Sequence, residues 1–280
     1  MNWFASSIAN YWRIALVSAE TLTTLTNIFS SAVKQRSENI PAQKARDFID
    51  LMLQLKKDNQ NDVALTEPRL LAQAIQIFAA GFETVNSSLA YTIHELAINP
   101  SIQERLREEI KETIAKYNGE ITYEAIQEMK YLDMCFSETL RKYPVLPFLD
   151  RRCTKDYVLP GTNVFIKEGI PVLVPMMGIH SDPKFYPDPD TYDPERFKDK
   201  SVYNTDGFNY FPFGEGPRSC IGERFGLLTI KLGFVKILSQ FEVKTNQETQ
   251  HPLNFEAKSF LLLTRKGVPL TFVPLKDKQL

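Results

Sequence analysis

The chain has 280 residues, 43% hydrophobic and 24% charged, the composition of a globular protein long enough for one large domain or two small ones. Its 33 basic and 34 acidic residues leave a net charge of −1, which gives no support for a nucleic-acid partner. Cys135, Cys153 and Cys220 form no even disulfide framework and His94, His180 and His251 lack zinc-site spacing, which sets aside a disulfide scaffold and a histidine zinc centre.

Reduced thiols and a cytosol-facing location are the default for such cysteine usage. No apolar run approaches the roughly 18–20 residues of a membrane-spanning helix, and residues 1–31, interrupted by Arg13 and Glu20, do not read as a secretory leader. Nineteen Phe and eleven Tyr predict a core or a cavity rich in rings. Residues 1–46 read as a weakly amphipathic helix and a polar linker, 47–57 as a short amphipathic helix, and 58–62 as a polar turn.

Thr66 is placed to cap a long helix that tolerates Pro68 in its first turn and ends before Pro100. Leu70, Leu71, Ala74, Ile75, Ile77 and Phe78 make it apolar on most sides, which predicts a central helix. Its middle, Ala80-Gly81-Phe82-Glu83-Thr84, breaks that pattern. A glycine there costs about 1 kcal/mol against alanine, and a buried Glu and Thr need partners. On these residues alone, a threonine bonding back to a carbonyl at a harmless kink is the plainer explanation.

Ser101 is expected to cap the next helix, closed by Asn118-Gly119, and Thr122 to open a short one. Residues 131–143 form a helix ended by Pro144, apolar on two sides, with Glu138 and Arg141 at i,i+3. A buried pair of this kind must be fully hydrogen-bonded or it destabilises. Residues 156–176 carry strand patterns with turns at Pro160-Gly161 and Glu168-Gly169, and Cys153 reads as a buried strand residue. Residues 178–197, dense in proline, predict a rigid irregular loop, and 198–210 a polar one. Strands near 241–245 and 259–274, with a turn at Arg265-Lys266-Gly267, finish the chain.

Between them, Phe211-Pro212-Phe213-Gly214-Glu215-Gly216-Pro217-Arg218-Ser219-Cys220-Ile221-Gly222 sets one cysteine before an apolar-periodic helix running from about Glu223 to Gln240. A thiolate is favoured at the positive end of a helix, and the glycines allow close approach of something flat. A lone cysteine among apolar residues is more often a small buried hydrophobe. The spacing F-x-x-G-x-R-x-C-x-G from Phe213 to Gly222, however, resembles the haem-binding signature of cytochromes P450, where a thiolate is the axial ligand of haem iron.

Three further stretches, in the family's order, are similar to its motifs: Ala80–Thr84 to the oxygen-binding groove [AG]-G-x-[DE]-T, Glu138–Arg141 to E-x-x-R, and Asp193–Phe197 to the segment that supplies a second arginine, here Arg196. The connecting text is most similar to microsomal members of the insect type. The resemblance implies a mainly α fold with small β-sheets (α+β), the cytochrome P450 fold truncated at its N-terminal side, with residues 1–29 unmatched and 30–280 forming its C-terminal portion.

It implies haem b ligated by Cys220, its propionates held by Arg218 and Arg151, and its surroundings shaped by Phe213, Gly214 and Gly81. Thr84 would hydrogen-bond the oxygen being activated and Glu83 would relay protons. Phe78, Phe82, Val145, Leu146, Phe148 and residues 260–262 would face a lipophilic small molecule, or else be plain core. Electrons would come from NADPH through NADPH–cytochrome P450 reductase, with cytochrome b5 a further candidate, at the cytoplasmic face of the endoplasmic reticulum membrane. A reading of different class is a shortened, non-catalytic chain that binds haem weakly or not at all and engages partners through uncovered apolar surface. A redox-active thiol enzyme would need a base or a resolving cysteine, and none lies near Cys220 in sequence.

Overall fold

The computed structural model describes residues 18–37, 45–59, 65–199 and 208–275. The polar turn expected at 58–62 and the polar loop expected at 198–210 lie largely outside them. The helices are α1 Ala19–Ser37, α2 Phe48–Asp58, α3 Glu67–Ile98, α4 Pro100–Lys116, α5 Tyr123–Glu128, α6 Lys130–Lys142, α7 Met176–His180 and α8 Glu223–Leu238. The strands are β1 Leu149–Arg152, β2 Tyr157–Val158, β3 Phe165–Ile166, β4 Pro171–Val174, β5 Phe241–Lys244 and β6 Thr271–Pro274, paired antiparallel as β1–β4, β2–β3 and β5–β6. The fold is therefore mainly helical with small two-stranded sheets, as expected from the sequence.

Two compact units divide the chain, Met1–Phe82 and Glu83–Leu280. In the first, α1 buries no residue, whereas α2 is capped by Asp47, whose side chain accepts from the N–H groups of Ile49 and Asp50. Asp50 is fully buried and accepts from Arg46 Nε at 2.7 Å. The second unit holds the main core. Leu106 and Ile110 of α4, Leu132 and Phe136 of α6, and Phe234 and Leu238 of α8 are all but inaccessible. Burying each such side chain contributes about 1.5–3 kcal/mol.

Several local expectations need correction. The long helix is covered unevenly: Leu70 and Ala74 are buried in its first half and Tyr91 to Ala97 in its second, whereas Ile77, Phe78 and Phe82 are exposed. The N-cap of α4 is Asn99, not Ser101, because Pro100 sits at the first helical position, where its missing N–H costs nothing. Gly119 and Asn118 close α4 with positive φ, and the Gly119 N–H donates to the Ile114 carbonyl at 3.1 Å. Thr122 caps α5 as expected, accepting from the Ala125 N–H. Cys153 lies just beyond β1 and is half-buried, its thiol facing the Lys155 carbonyl at 3.0 Å. The expected irregular loop begins with the short helix α7. Of the strand expected over 259–274 only β6 is regular. All three cysteines are free.

Candidate functional site

The scaffold beneath the cysteine loop is the bidentate pair that the spacing on α6 predicts. Arg141 Nε donates to Glu138 Oε2 at 2.7 Å and Nη2 to Oε1 at 2.8 Å, and both side chains are wholly buried. The remaining guanidinium donors reach the carbonyls of His180 at 3.0 Å and Pro189 at 2.7 Å. Glu138 Oε1 also accepts from the Asp193 N–H at 3.0 Å, and Arg196 Nε lies 3.4 Å from it. Burial pushes the Glu138 carboxyl above its ordinary range, while Arg141 pulls it back. The fork geometry of arginine is thus used to fix the proline-rich segment onto α6.

From that segment the chain enters the loop. Phe211 donates its N–H to His180 Nε2 at 3.2 Å, Gly214 donates to the Phe211 carbonyl at 2.8 Å, and Cys220 donates to the Phe213 carbonyl at 2.8 Å. Gly214 and Gly216 have φ of 73° and 78°, which only glycine adopts readily. Phe213 is half-buried against the main core and roots the loop there. Cys220 is exposed. It stands three residues before α8, whose N-terminus no side chain caps. A Cβ on Gly222 would lie 3.9 Å from its sulfur, so the glycine keeps that flank of the sulfur clear.

Arg218 ends a short 3-10 turn and is exposed. Arg151 is exposed on β1, its Nη1 donating to the Asp150 carbonyl at 2.7 Å. The loop and β1 meet: a Cβ on Gly214 would stand 3.7 Å from Leu149 Cδ1. Arg151, Leu149, Phe208, Phe211 and Glu215 line one cavity of about 250 Å³. Arg151 therefore lies beside the cysteine loop.

Glu83 and Thr84 lie half-buried on α3, and Ser87 Oγ faces Glu83 Oε1 at 3.4 Å. Ser88 Oγ donates back to the Thr84 carbonyl at 2.8 Å, one turn further along the helix. Gly81, three residues before Thr84 on the same helix, is exposed, and a Cβ there would meet nothing within 4 Å. Within the second unit, α3 approaches α8 at Leu89 and Gly233, where a Cβ would come to 3.3 Å from Leu89 Cδ1. Val145 and Leu262 are core, joined by the Leu262 N–H to the Val145 carbonyl at 2.8 Å. Phe148 and Phe260 instead meet edge to face at 5.7 Å, with Phe260 half exposed.

These residues fit an iron-bearing, flat and largely apolar ring with carboxylate edges. The thiol is exposed, Ile221 and Phe225 next to it are 98% and 74% exposed, and two guanidinium groups lie on the adjoining loop and strand. Among the described residues no group of three His, Cys, Asp or Glu side chains is placed to hold a bare metal ion.

Sequence reasoning missed two residues. Glu109 of α4 accepts from the N–H groups of Tyr131 and Leu132 at 2.7 and 2.9 Å, capping α6, which has no side-chain cap of its own. Its place among alternating charges on a solvated-looking helix concealed this. His180 was conspicuous only as a rare residue, and the hydrogen bonds it accepts from Arg141 and Phe211 come from segments far away in sequence.

Comparison with known proteins gives the family. The cytochrome P450 family profile matches residues 10–272, including residues 10–29, to which the sequence motifs assigned nothing. Curated relatives include cytochrome P450 6l1 of Blattella germanica, 41% identical over 276 residues that make up 99% of this chain and 54% of that protein. Another is probable cytochrome P450 6a13 of Drosophila melanogaster, 44% identical over 84% of this chain and 47% of the relative. Cytochrome P450 6k1 of Blattella germanica is 39% identical over 97% of this chain and 55% of its own length. The chain spans about half the length of the curated relatives it matches. With the profile matching nearly all of it and the cysteine loop, the buried Glu138–Arg141 pair and the α3 glycine–acid–threonine run all present, the chain belongs to the cytochrome P450 family.

Proposed function

We propose that this chain holds haem b through Cys220 and serves a monooxygenase that places one oxygen atom of O2 in a lipophilic small molecule, with electrons from NADPH by way of NADPH–cytochrome P450 reductase or cytochrome b5. The observation that carries this is the exposed Cys220 thiol, fixed by its own N–H on the Phe213 carbonyl at the uncapped start of α8. Haem, when bound, supplies the reductive activation of O2. Cys220 Sγ offers the thiolate, and the glycine conformations of the loop keep its approach open. Arg218 and Arg151 offer guanidinium groups to the propionates. Thr84 Oγ1 presents a hydroxyl, and Glu83, with the buried Ser87 hydroxyl behind it, can take a proton from the interior and hand it on. Gly81 leaves the surface of α3 open one turn before Thr84. Phe148 and Phe260, which meet edge to face, favour an apolar substrate.

The resemblance to microsomal members supports a place at the cytoplasmic face of the endoplasmic reticulum; among the described residues no helix is long and apolar enough to cross a membrane. The exposure of Phe78 and Phe82 also favours a second reading, a chain of the same family that binds partners without catalysis. The reduced, CO-bound spectrum of the purified 280-residue chain decides. A red-shifted Soret band of thiolate-ligated haem is expected. Failure to take up haem, or a band of thiol-ligated haem alone, supports the second reading instead.

A further inference from the structure

We propose that His180 is a positioning residue for Cys220: it ties the start of the cysteine loop to the buried Glu138–Arg141 pair. The consequence for haem rests on the haem-thiolate reading above; the anchoring itself does not. His180 is inaccessible to solvent. Its backbone carbonyl accepts from Arg141 Nη1 at 3.0 Å and its imidazole Nε2 accepts the Phe211 N–H at 3.2 Å. Two short steps follow, from the Gly214 N–H to the Phe211 carbonyl and from the Cys220 N–H to the Phe213 carbonyl, both 2.8 Å. One residue therefore joins the buried ion pair to the loop through its main chain on one side and its ring on the other. The ring has little freedom to leave, because it stacks on Tyr210 at 5.4 Å and meets Phe211 and Tyr186 edge-on at 5.4 and 6.4 Å. The neighbouring chain is held separately, by Tyr186 donating to the Asn209 carbonyl at 2.9 Å and Tyr210 to the Ser137 carbonyl at 3.0 Å.

Accepting at Nε2 requires the neutral imidazole with its proton on Nδ1. Burial lowers the His180 pKa to about 4 and the nearby Arg141 charge works the same way, against the opposing Leu140 and Arg141 backbone; Nδ1 itself is buried with no partner within hydrogen-bond geometry among the described residues. The anchor therefore persists at neutral pH and is lost as acid protonates Nε2. The groups facing the ring are Tyr186, Tyr210 and Arg141, with Glu138 behind Arg141. Of these, Glu138 also carries a carboxyl pushed up by burial, so a variant must separate the two.

The test uses the full chain with His180→Phe, which keeps a ring without an acceptor, and His180→Gln, which returns a carbonyl oxygen near the place of Nε2 and does not titrate. The two readouts are amide hydrogen-exchange protection at Phe211–Gly214 and the ratio of thiol- to thiolate-ligated haem in the reduced, CO-bound spectrum between pH 7 and 4.5. His180→Phe is expected to lose Phe211 protection and to raise that ratio about tenfold at pH 7, the equivalent of one hydrogen bond of about 1.4 kcal/mol. His180→Gln restores both and removes the acid-dependent rise. Unchanged Phe211 protection in His180→Phe, or equal losses in both variants, would overturn the proposal, because packing alone would explain them. If His180→Phe does not fold, wild type against His180→Gln decides: protection that falls equally with acid in both overturns it. If the wild-type chain shows no thiolate band, the haem reading has failed, and the exchange data still decide the anchor.

Discussion

The second unit holds two regions a few residues apart in the bonding network and opposite in character. At the centre of α6 one charged pair is spent internally: Arg141 gives its donors to Glu138 and to carbonyls of His180 and Pro189 with no exposure to water. Around the start of α8 an exposed thiol, Ile221, Phe225 and Arg218 lie outside the core. The first region resembles a buried mechanical joint, the second a face shaped for something else to cover. The difference teaches that the family's motifs do unlike work. Glu138–Arg141 should govern whether the chain folds, and Cys220 with its neighbours only what the folded chain holds.

The sharpest break in that comparison is Arg141→Leu, which strands the Glu138 carboxylate in the core and leaves the His180 and Pro189 carbonyls without their donor. A loss of about 3–5 kcal/mol is expected. It is read from the urea midpoint of the full chain, and a loss under about 1 kcal/mol would show that the pair is dispensable.

Acid should act next most strongly, and again through the buried region. His94 and His180 are each lowered to about 4 by burial. The native chain keeps them neutral while the unfolded chain takes protons near pH 6.5, so their contribution is complete above about 6.5 and is lost as pH falls toward 4. Between pH 7 and 5 the cost is up to about 2 kcal/mol per histidine. Denaturation at both pH values, repeated with His180→Gln, should show the smaller slope in the variant.

Glu109→Gln is a milder change. It keeps one acceptor for the paired N–H groups of Tyr131 and Leu132 and removes the charge at the start of α6. A loss of about 1 kcal/mol is expected, with a slower folding rate only if α6 forms early.

How much of this was legible follows the same division. Helix α6 could be read from two apolar stripes and an i,i+3 pair, because periodicity reports burial directly. The cysteine loop could be read because its glycines and cysteine are fixed by local backbone and chemical demands. The other partners of Arg141 could not: they are main-chain carbonyls of His180 and Pro189, and any residue type supplies a carbonyl. Glu109 was hidden for a related reason, since its ligands are two N–H groups of another helix. The first half of α3 misled in the other direction. An apolar stretch from Leu70 to Phe82 reads as core, yet Phe78 and Phe82 are exposed, because composition states a preference for burial and not what is present to provide it.

The smallest expected effects on stability come from the exposed face, and they test the comparison from its other side. Cys220→Ser and Ile221→Ala both alter residues outside the core, Ile221 being 98% exposed, so each should change the urea midpoint by less than the equivalent of about 0.5 kcal/mol. Cys220→Ser should nevertheless abolish the thiolate band, and its persistence would refute the ligand assignment. Ile221→Ala is the finer instrument. It removes three carbons that touch little in the chain itself, so any consequence must arise on contact with what covers the face. Haem retention, followed by transfer to excess apomyoglobin, should weaken by roughly the burial of two to three methylenes, about 1.6–2.4 kcal/mol or roughly 15- to 50-fold in dissociation rate. Equal retention in wild type and variant, with stability also equal, would place Ile221 away from the bound ring and leave Phe225 and the arginines to define its edge.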